Sequence, residues 1–258
     1  MAVGDGVPGS RCGRPWLSRI GPSRPGRPVI VVFPHAGSGA SAYQRWRGVA
    51  PEDVELFAVQ LPGRDTRRRE VLVTDVGELT GPLAESLRDV LDDRPFTFFG
   101  HSVGTLLAFE LTRSLRQADR PGPLALGLSG FPAPHLPIPD LHRLPDEEIL
   151  AFLRDHMYLP EQLATQKGFM EIFLPVLKAD FALAAGYRLR AEDPLSCPMH
   201  LFGGASDPFA TQMELHGWRR YGAAHFSLTM LPGDHFYLFN HGAQILNALA
   251  EPLRSVTQ

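Results

Sequence analysis

Cysteine is nearly absent from this 258-residue chain: there are two, Cys12 and Cys197, far apart and without ligand-like spacing. They offer neither a disulfide framework nor a zinc site, and the expected setting is a reducing, cytoplasmic one. Long apolar runs are missing too. No stretch approaches the roughly 20 residues of a membrane-crossing helix, so no membrane association is expected. The N-terminal stretch also lacks the apolar segment of a secretory signal. Positive charge is in no surplus. The net charge is −3, whereas a duplex binder usually carries a basic excess, so nucleic acid is not an expected partner. H-E-x-x-H pairs, Cys/His clusters and a Walker loop are absent as well, which removes the metal and phosphate-loop readings.

The chain does have core-forming material: 44% of it is hydrophobic and 21% charged. That suits one α/β domain carrying an insertion. Prolines and glycines crowd Gly21 to Pro28, so residues 1–27 read as a flexible N-terminal arm, though Trp16-Leu17 has the character to pack back on the body. From 28 to 258, strand and helix patterns alternate. Val29–Phe33 is an apolar β-branched run, as in a strand buried on both faces. Further strands are expected at Val54–Val59, Phe96–Phe99, Leu124–Leu128, Met199–Phe202 and Phe226–Leu231. Val76, Leu79, Leu83 and Leu87 recur at helical spacing, as do Leu107, Leu111 and Leu115, then Ile245, Leu246, Leu249 and Leu253. This alternation predicts a mainly parallel sheet with helices on both faces. Residues 132–190 break it with helical patterns alone. They read as an insertion that either packs plainly on the body or forms a lid.

Gly100-His101-Ser102-Val103-Gly104 matches G-x-S-x-G, and its context gives the match weight. A strand runs into it and a helix runs out, the arrangement of a nucleophile elbow in the α/β-hydrolase fold. A serine hydroxyl needs a base, and in this fold the chain order is serine, acid, histidine. Asp207 follows the Met199–Phe202 strand, and His235 follows the Phe226–Leu231 strand. Both lie in turn-rich loops at the carboxyl edge, where such sheets place their sites. His200, His216 and His241 are weaker bases by position, and Asp193 and Asp234 weaker acids. The oxyanion needs two preorganised donors. The backbone N–H of Val103 is one. The loop after Val29–Phe33 supplies the other, with Ala36 preferred and His35 or Gly37 as alternatives.

That loop admits a reading from another class. Gly37-Ser38-Gly39-Ala40-Ser41-Ala42 fits G-x-G-x-x-A, the dinucleotide fingerprint. Two features oppose it: Pro34-His35-Ala36 separate the strand from the glycines, and no acid follows the next strand for a ribose hydroxyl. Arg64, Arg67, Arg68 and Arg69 form a basic run, read either as a solvated face or as a docking patch for an acidic partner or phosphate.

The sequence resembles the type II thioesterases that accompany polyketide synthases and nonribosomal peptide synthetases. The likeness rests on Phe33-Pro34-His35-Ala36-Gly37, Gln60-Leu61-Pro62-Gly63-Arg64 and Gly100–Gly104. Leu144-Pro145 with Glu147, Lys178-Ala179-Asp180 and Tyr187 match in the insertion, and Gly203-Gly204 before Asp207 and Gly233–Phe236 complete it. The resemblance implies hydrolysis of acyl groups from the phosphopantetheine thiol of acyl or peptidyl carrier domains, clearing stalled or misprimed chains. It implies no cofactor of the enzyme's own, and a monomer. The insertion becomes a lid over an acyl chamber. Val103 replaces a frequent methionine, and His156–Pro160 lacks glycines often found there. A general carboxylesterase or acyl-CoA thioesterase, an acyltransferase and a non-catalytic interaction protein are the remaining alternatives.

Overall fold

Strand β2 (Val29–Phe33) is buried at every residue and divides the core by its alternation. Val29, Val31 and Phe33 face one apolar cluster, Ile30 and Val32 the other, as a period of two requires. The computed structural model describes residues 16–91, 93–156 and 165–256. Around β2 the sheet continues with β3 (Glu55–Val59), β4 (Phe96–His101), β5 (Leu126–Ser129), β6 (Met199–Gly204) and β7 (Phe226–Leu231). With β1 (Leu17–Ile20) at one edge, the order is β1-β3-β2-β4-β5-β6-β7. All pairs are parallel except β1 with β3.

Helices α1 (Val76–Leu91) and α2 (Val103–Gln117) cover one face with the stripes expected of them. The final helix, Gly242–Ser255, covers the other, alongside Tyr43 and Trp46 of a 3-10 segment. Between β5 and β6 the insertion forms α3 (Asp146–His156) and α4 (Lys167–Gly186). Three acids in the first turn of α3 complement its N-terminal dipole. Residues 157–160, part of the glycine-poor stretch, lie outside the described residues, as do residues 1–15.

The expected arm over 1–27 is corrected in its described part. Leu17 and Ile20 are buried, and β1 pairs antiparallel with β3 from Leu17↔Val59 to Ile20↔Leu56. The anchor is ionic as well as apolar. Glu55, buried in β3, binds Arg19 of β1 at 2.8 Å and Arg94 at 2.7 Å. Trp16 is held too: its carbonyl accepts from the Gln60 N–H at 2.7 Å, and the Arg67 guanidinium lies 3.8 Å from its ring centroid.

The topology places the site. The chain passes from β2 outward to β3, then returns to β4 on the other side of β2. The carboxyl ends of β2 and β4, paired at Phe33↔Gly100, flank this reversal, where open α/β sheets form their binding crevice.

Candidate active site

Strand β4 ends at His101 and α2 begins at Val103, leaving Ser102 alone in the turn. Its φ is 54° and its ψ −128°, a conformation that costs a non-glycine residue about 1–3 kcal/mol. The flanking glycines are sterically required. A Cβ on Gly100 would sit 2.3 Å from the Gly104 carbonyl oxygen, and one on Gly104 would sit 2.1 Å from that of Phe33. The second contact also fixes the loop after β2 directly against the start of α2.

Asp207 and His235 meet across the loops after β6 and β7. His235 Nδ1 donates to Asp207 Oδ2 at 2.9 Å, and the other carboxylate oxygen accepts from the Phe209 N–H at 2.9 Å. The bond to Nδ1 leaves Nε2 as the acceptor. The Phe209 ring stands edge-on to the imidazole, with centroids 4.9 Å apart. Both residues are buried. Ser102, Val103 and His235 line one cavity of about 260 Å³. Its walls are largely apolar: Phe131, Pro137, Ile138 and Leu141 after β5, Phe152 of α3, Phe181 of α4, and Phe209. A neighbouring cavity of about 440 Å³ shares Phe131, Pro137, Ile138 and Ala184 with it.

Three of the other candidates are engaged elsewhere. His200 bonds Ser227, His241 bonds the Pro232 carbonyl, and Asp234 accepts from the Phe236 N–H. Among the oxyanion candidates, Gly37 is committed: its N–H donates to Asp180 at 2.7 Å. Val103 opens α2, so its N–H has no intrahelical acceptor. Ala36 is buried in the loop against the elbow.

The dinucleotide reading fails on geometry. A pyrophosphate needs open backbone beside the glycines and the N-terminus of an α-helix. Here Asp65 occupies that approach: a Cβ on Gly39 would lie 2.3 Å from its carboxylate oxygen, and the same carboxylate accepts from the Ser41 N–H at 3.0 Å. The segment that follows, Ala40–Gly48, is 3-10 and not an α-helix.

The docking expectation for the basic run is corrected at two positions. Arg64 is buried in a two-pronged ion pair with Asp180, at 2.6 and 2.8 Å. Arg67 is buried between Trp16, Glu70 and the Gln60 carbonyl. Neither side chain is free to meet a partner. Arg68 and Arg69 are exposed.

Sequence patterns gave no sign of a polar chain beneath the imidazole. The His101 ring lies 4.8 Å from that of His235. Its Nδ1 bonds Ser129 Oγ at 2.8 Å, which bonds the Tyr237 hydroxyl at 2.5 Å. The His35 ring lies 5.9 Å from the His101 ring, edge to face. Burial, then His235 and Arg45, lower the His35 pKa to about 3, and burial, then His235 and His35, push His101 well below its usual value. Both rings are neutral in the folded state at pH 7. Unfolded, each takes up a proton near pH 6.5. Stability is therefore fully present above about pH 6.5 and is lost as pH falls toward the depressed folded values, by roughly 1 kcal/mol per pH unit for a histidine that stays neutral between about pH 7 and pH 5. His35→Gln should flatten this loss by about one histidine's share. Urea unfolding between about pH 7 and pH 5 checks it; an unaltered slope would show that His35 does not remain neutral.

Among the described residues no group of three or more His, Cys, Asp or Glu is placed to hold a metal, and no helix is long and apolar enough to cross a membrane. The thioesterase-domain family model matches residues 28–253. Gramicidin S biosynthesis protein GrsT of Aneurinibacillus migulanus is 37% identical over 229 residues, covering 88% of this chain and 89% of that one. A protein of Brevibacillus parabrevis named linear gramicidin dehydrogenase LgrE is 38% identical, covering 88% of each. Its name gives that protein a redox role, while the loop suited to such chemistry in this chain is filled by Asp65. The solved structure of BorB, a type II thioesterase from the borrelidin biosynthetic cluster, superposes with a TM-score of 0.80 at 34% identity, over 93% of this chain and 96% of that one. A strained serine elbow, an Asp-bound histidine on the same cavity and an α/β-hydrolase sheet thus coincide with close likeness to such enzymes, and the chain belongs to the thioesterase family, among the type II thioesterases of polyketide and nonribosomal peptide systems.

Proposed function

We propose that this enzyme hydrolyses acyl groups from the phosphopantetheine thiol of acyl or peptidyl carrier domains, clearing stalled or misprimed chains, through an acyl-Ser102 intermediate. The observation that carries the chemistry is the His235–Asp207 bond beside the cavity that Ser102 enters. Ser102 Oγ attacks the thioester carbonyl while His235 Nε2 takes its proton. The pantetheine thiol leaves with that proton, and a water, deprotonated by His235, then cleaves the acyl-serine ester. Asp207 holds the imidazole in the needed tautomer and stabilises its charged form. The N–H groups of Val103 and Ala36 stabilise the oxyanion. The apolar walls suit an acyl chain, with α3 and α4 as its lid. The gramicidin S and borrelidin contexts of two relatives support a carrier-bound substrate.

Specificity constants for a carrier-bound thioester, the matching acyl-CoA and a nitrophenyl ester of the same acyl group test the reading. Preference for the carrier-bound chain is expected; preference for the simple ester or for acyl-CoA would make this a general esterase. The exposed Arg68 and Arg69 are proposed to meet the acidic carrier. Reversing both charges should raise KM for the carrier substrate about 10-fold and spare the nitrophenyl ester. Equal effects on both substrates would discard the docking role.

A further inference from the structure

We propose that Asp180 and Arg64 are positioning residues that hold the loop Pro34–Gly39 in the shape that presents the oxyanion donor. The inference rests on the assignment of that donor to the Ala36 N–H. The pair is buried on both sides, Arg64 at 6% and Asp180 at 2% exposure. An isolated ion pair in that setting is a weak source of stability, because desolvation offsets the attraction. Its further bonds explain its placement: besides the Arg64 Nε bond to the Pro62 carbonyl at 3.3 Å, they reach this loop from both partners.

Asp180 Oδ2, already bound to Arg64, also accepts from the Gly37 N–H at 2.7 Å. That fixes the peptide immediately after Ala36. Arg64 donates to the Ser38 carbonyl at 3.2 Å. Ser38 in turn bonds the His35 carbonyl twice, from its N–H at 3.1 Å and its hydroxyl at 2.8 Å. The His35 carbonyl and the Ala36 N–H belong to one planar peptide, so orienting the first orients the second. Gly37 has a φ of +75°, and a Cβ there would lie 2.7 Å from the Phe173 ring of α4. The insertion helix therefore packs on the loop at the residue its carboxylate grips. Asp180 lies 116 residues from Arg64 along the chain, so the clamp joins the root of the lid to the catalytic loop.

The test compares wild type with Asp180→Ala, Asp180→Asn and Arg64→Lys. Active serines are titrated to completion with a fluorophosphonate, and nitrophenyl-ester turnover is expressed per titrated serine. An acyl trifluoromethyl ketone, whose hemiketal oxyanion occupies the hole, is compared with the matching alcohol. The expectation for Asp180→Ala is a kcat lowered about 100-fold with KM within about twofold, and ketone affinity lowered in parallel while the alcohol is unaffected. Asp180→Asn keeps an acceptor for Gly37 and should lose less, and Arg64→Lys should lose about 10-fold. A merely structural role would lower the titre and leave turnover per serine unchanged. Should Asp180→Ala fail to fold, Arg64→Lys decides. Wild-type kcat per serine and ketone affinity in the folded variants would overturn the inference. Absent labelling of Ser102 in the wild type would instead remove the mechanism beneath it.

Discussion

Ser102→Ala should lower kcat for a carrier-bound thioester by roughly 10⁶-fold, the scale seen when a nucleophilic serine is deleted. The size follows from what remains. The two proposed backbone donors can still polarise the carbonyl, but no protein atom is left to form the acyl intermediate, and water must attack the thioester directly in place of the serine oxygen. The elbow itself should survive. Alanine has the same Cβ as serine and meets the same strain at a φ of 54°, and the backbone bond from the Ser102 N–H to the Ser129 carbonyl at 2.8 Å is retained. Affinity for the acyl carrier should thus change little. Product mass after incubation with the carrier substrate measures turnover, and circular dichroism reports the fold. Retained hydrolysis by the purified, folded variant would remove the acyl-serine mechanism.

The elements that local pattern specifies were readable in advance. The runs Val29–Phe33 and Phe96–Phe99 are apolar enough to demand a buried parallel strand, and α1, α2 and the last helix carry continuous stripes. The turn at Ser102 and the positions of Asp207 and His235 are legible because each follows a recognisable strand. What escaped depends on contacts made across the chain. β1 is four residues long, beside a Pro/Gly-rich stretch, with only Leu17 and Ile20 buried. A central sheet edge and Glu55 make it a strand, and neither lies nearby in sequence. Arg64 and Arg67 look like members of a solvated cationic run. Their burial depends on Asp180 and Trp16, and no local signature marks a charge that will be enclosed. The same holds for the His101–Ser129–Tyr237 chain, drawn from three separate strand ends and loops.

Asp207→Asn tests the acid through a consequence specific to this geometry. Its two carboxylate oxygens do different work: Oδ1 accepts from the Phe209 N–H, Oδ2 from His235 Nδ1. An asparagine has one acceptor and one donor group. Buried at this position, it keeps its oxygen toward the Phe209 N–H, since the reverse orientation would set donor against donor. Its NH₂ then faces His235 Nδ1, which must accept. The imidazole proton moves to Nε2, the atom that has to receive the Ser102 proton, and the catalytic tautomer is lost. The expected result is a kcat about 10⁴-fold lower with the fold retained. Asp234→Asn is the matched control. That side chain caps the Phe236 N–H through one oxygen, which asparagine supplies equally well, so activity should stay within about twofold. Steady-state kinetics on both variants, with thermal melts, decide between them. Full activity in Asp207→Asn together with a dead Asp193→Asn would move the acid to the opposite edge of the sheet and undo the assignment.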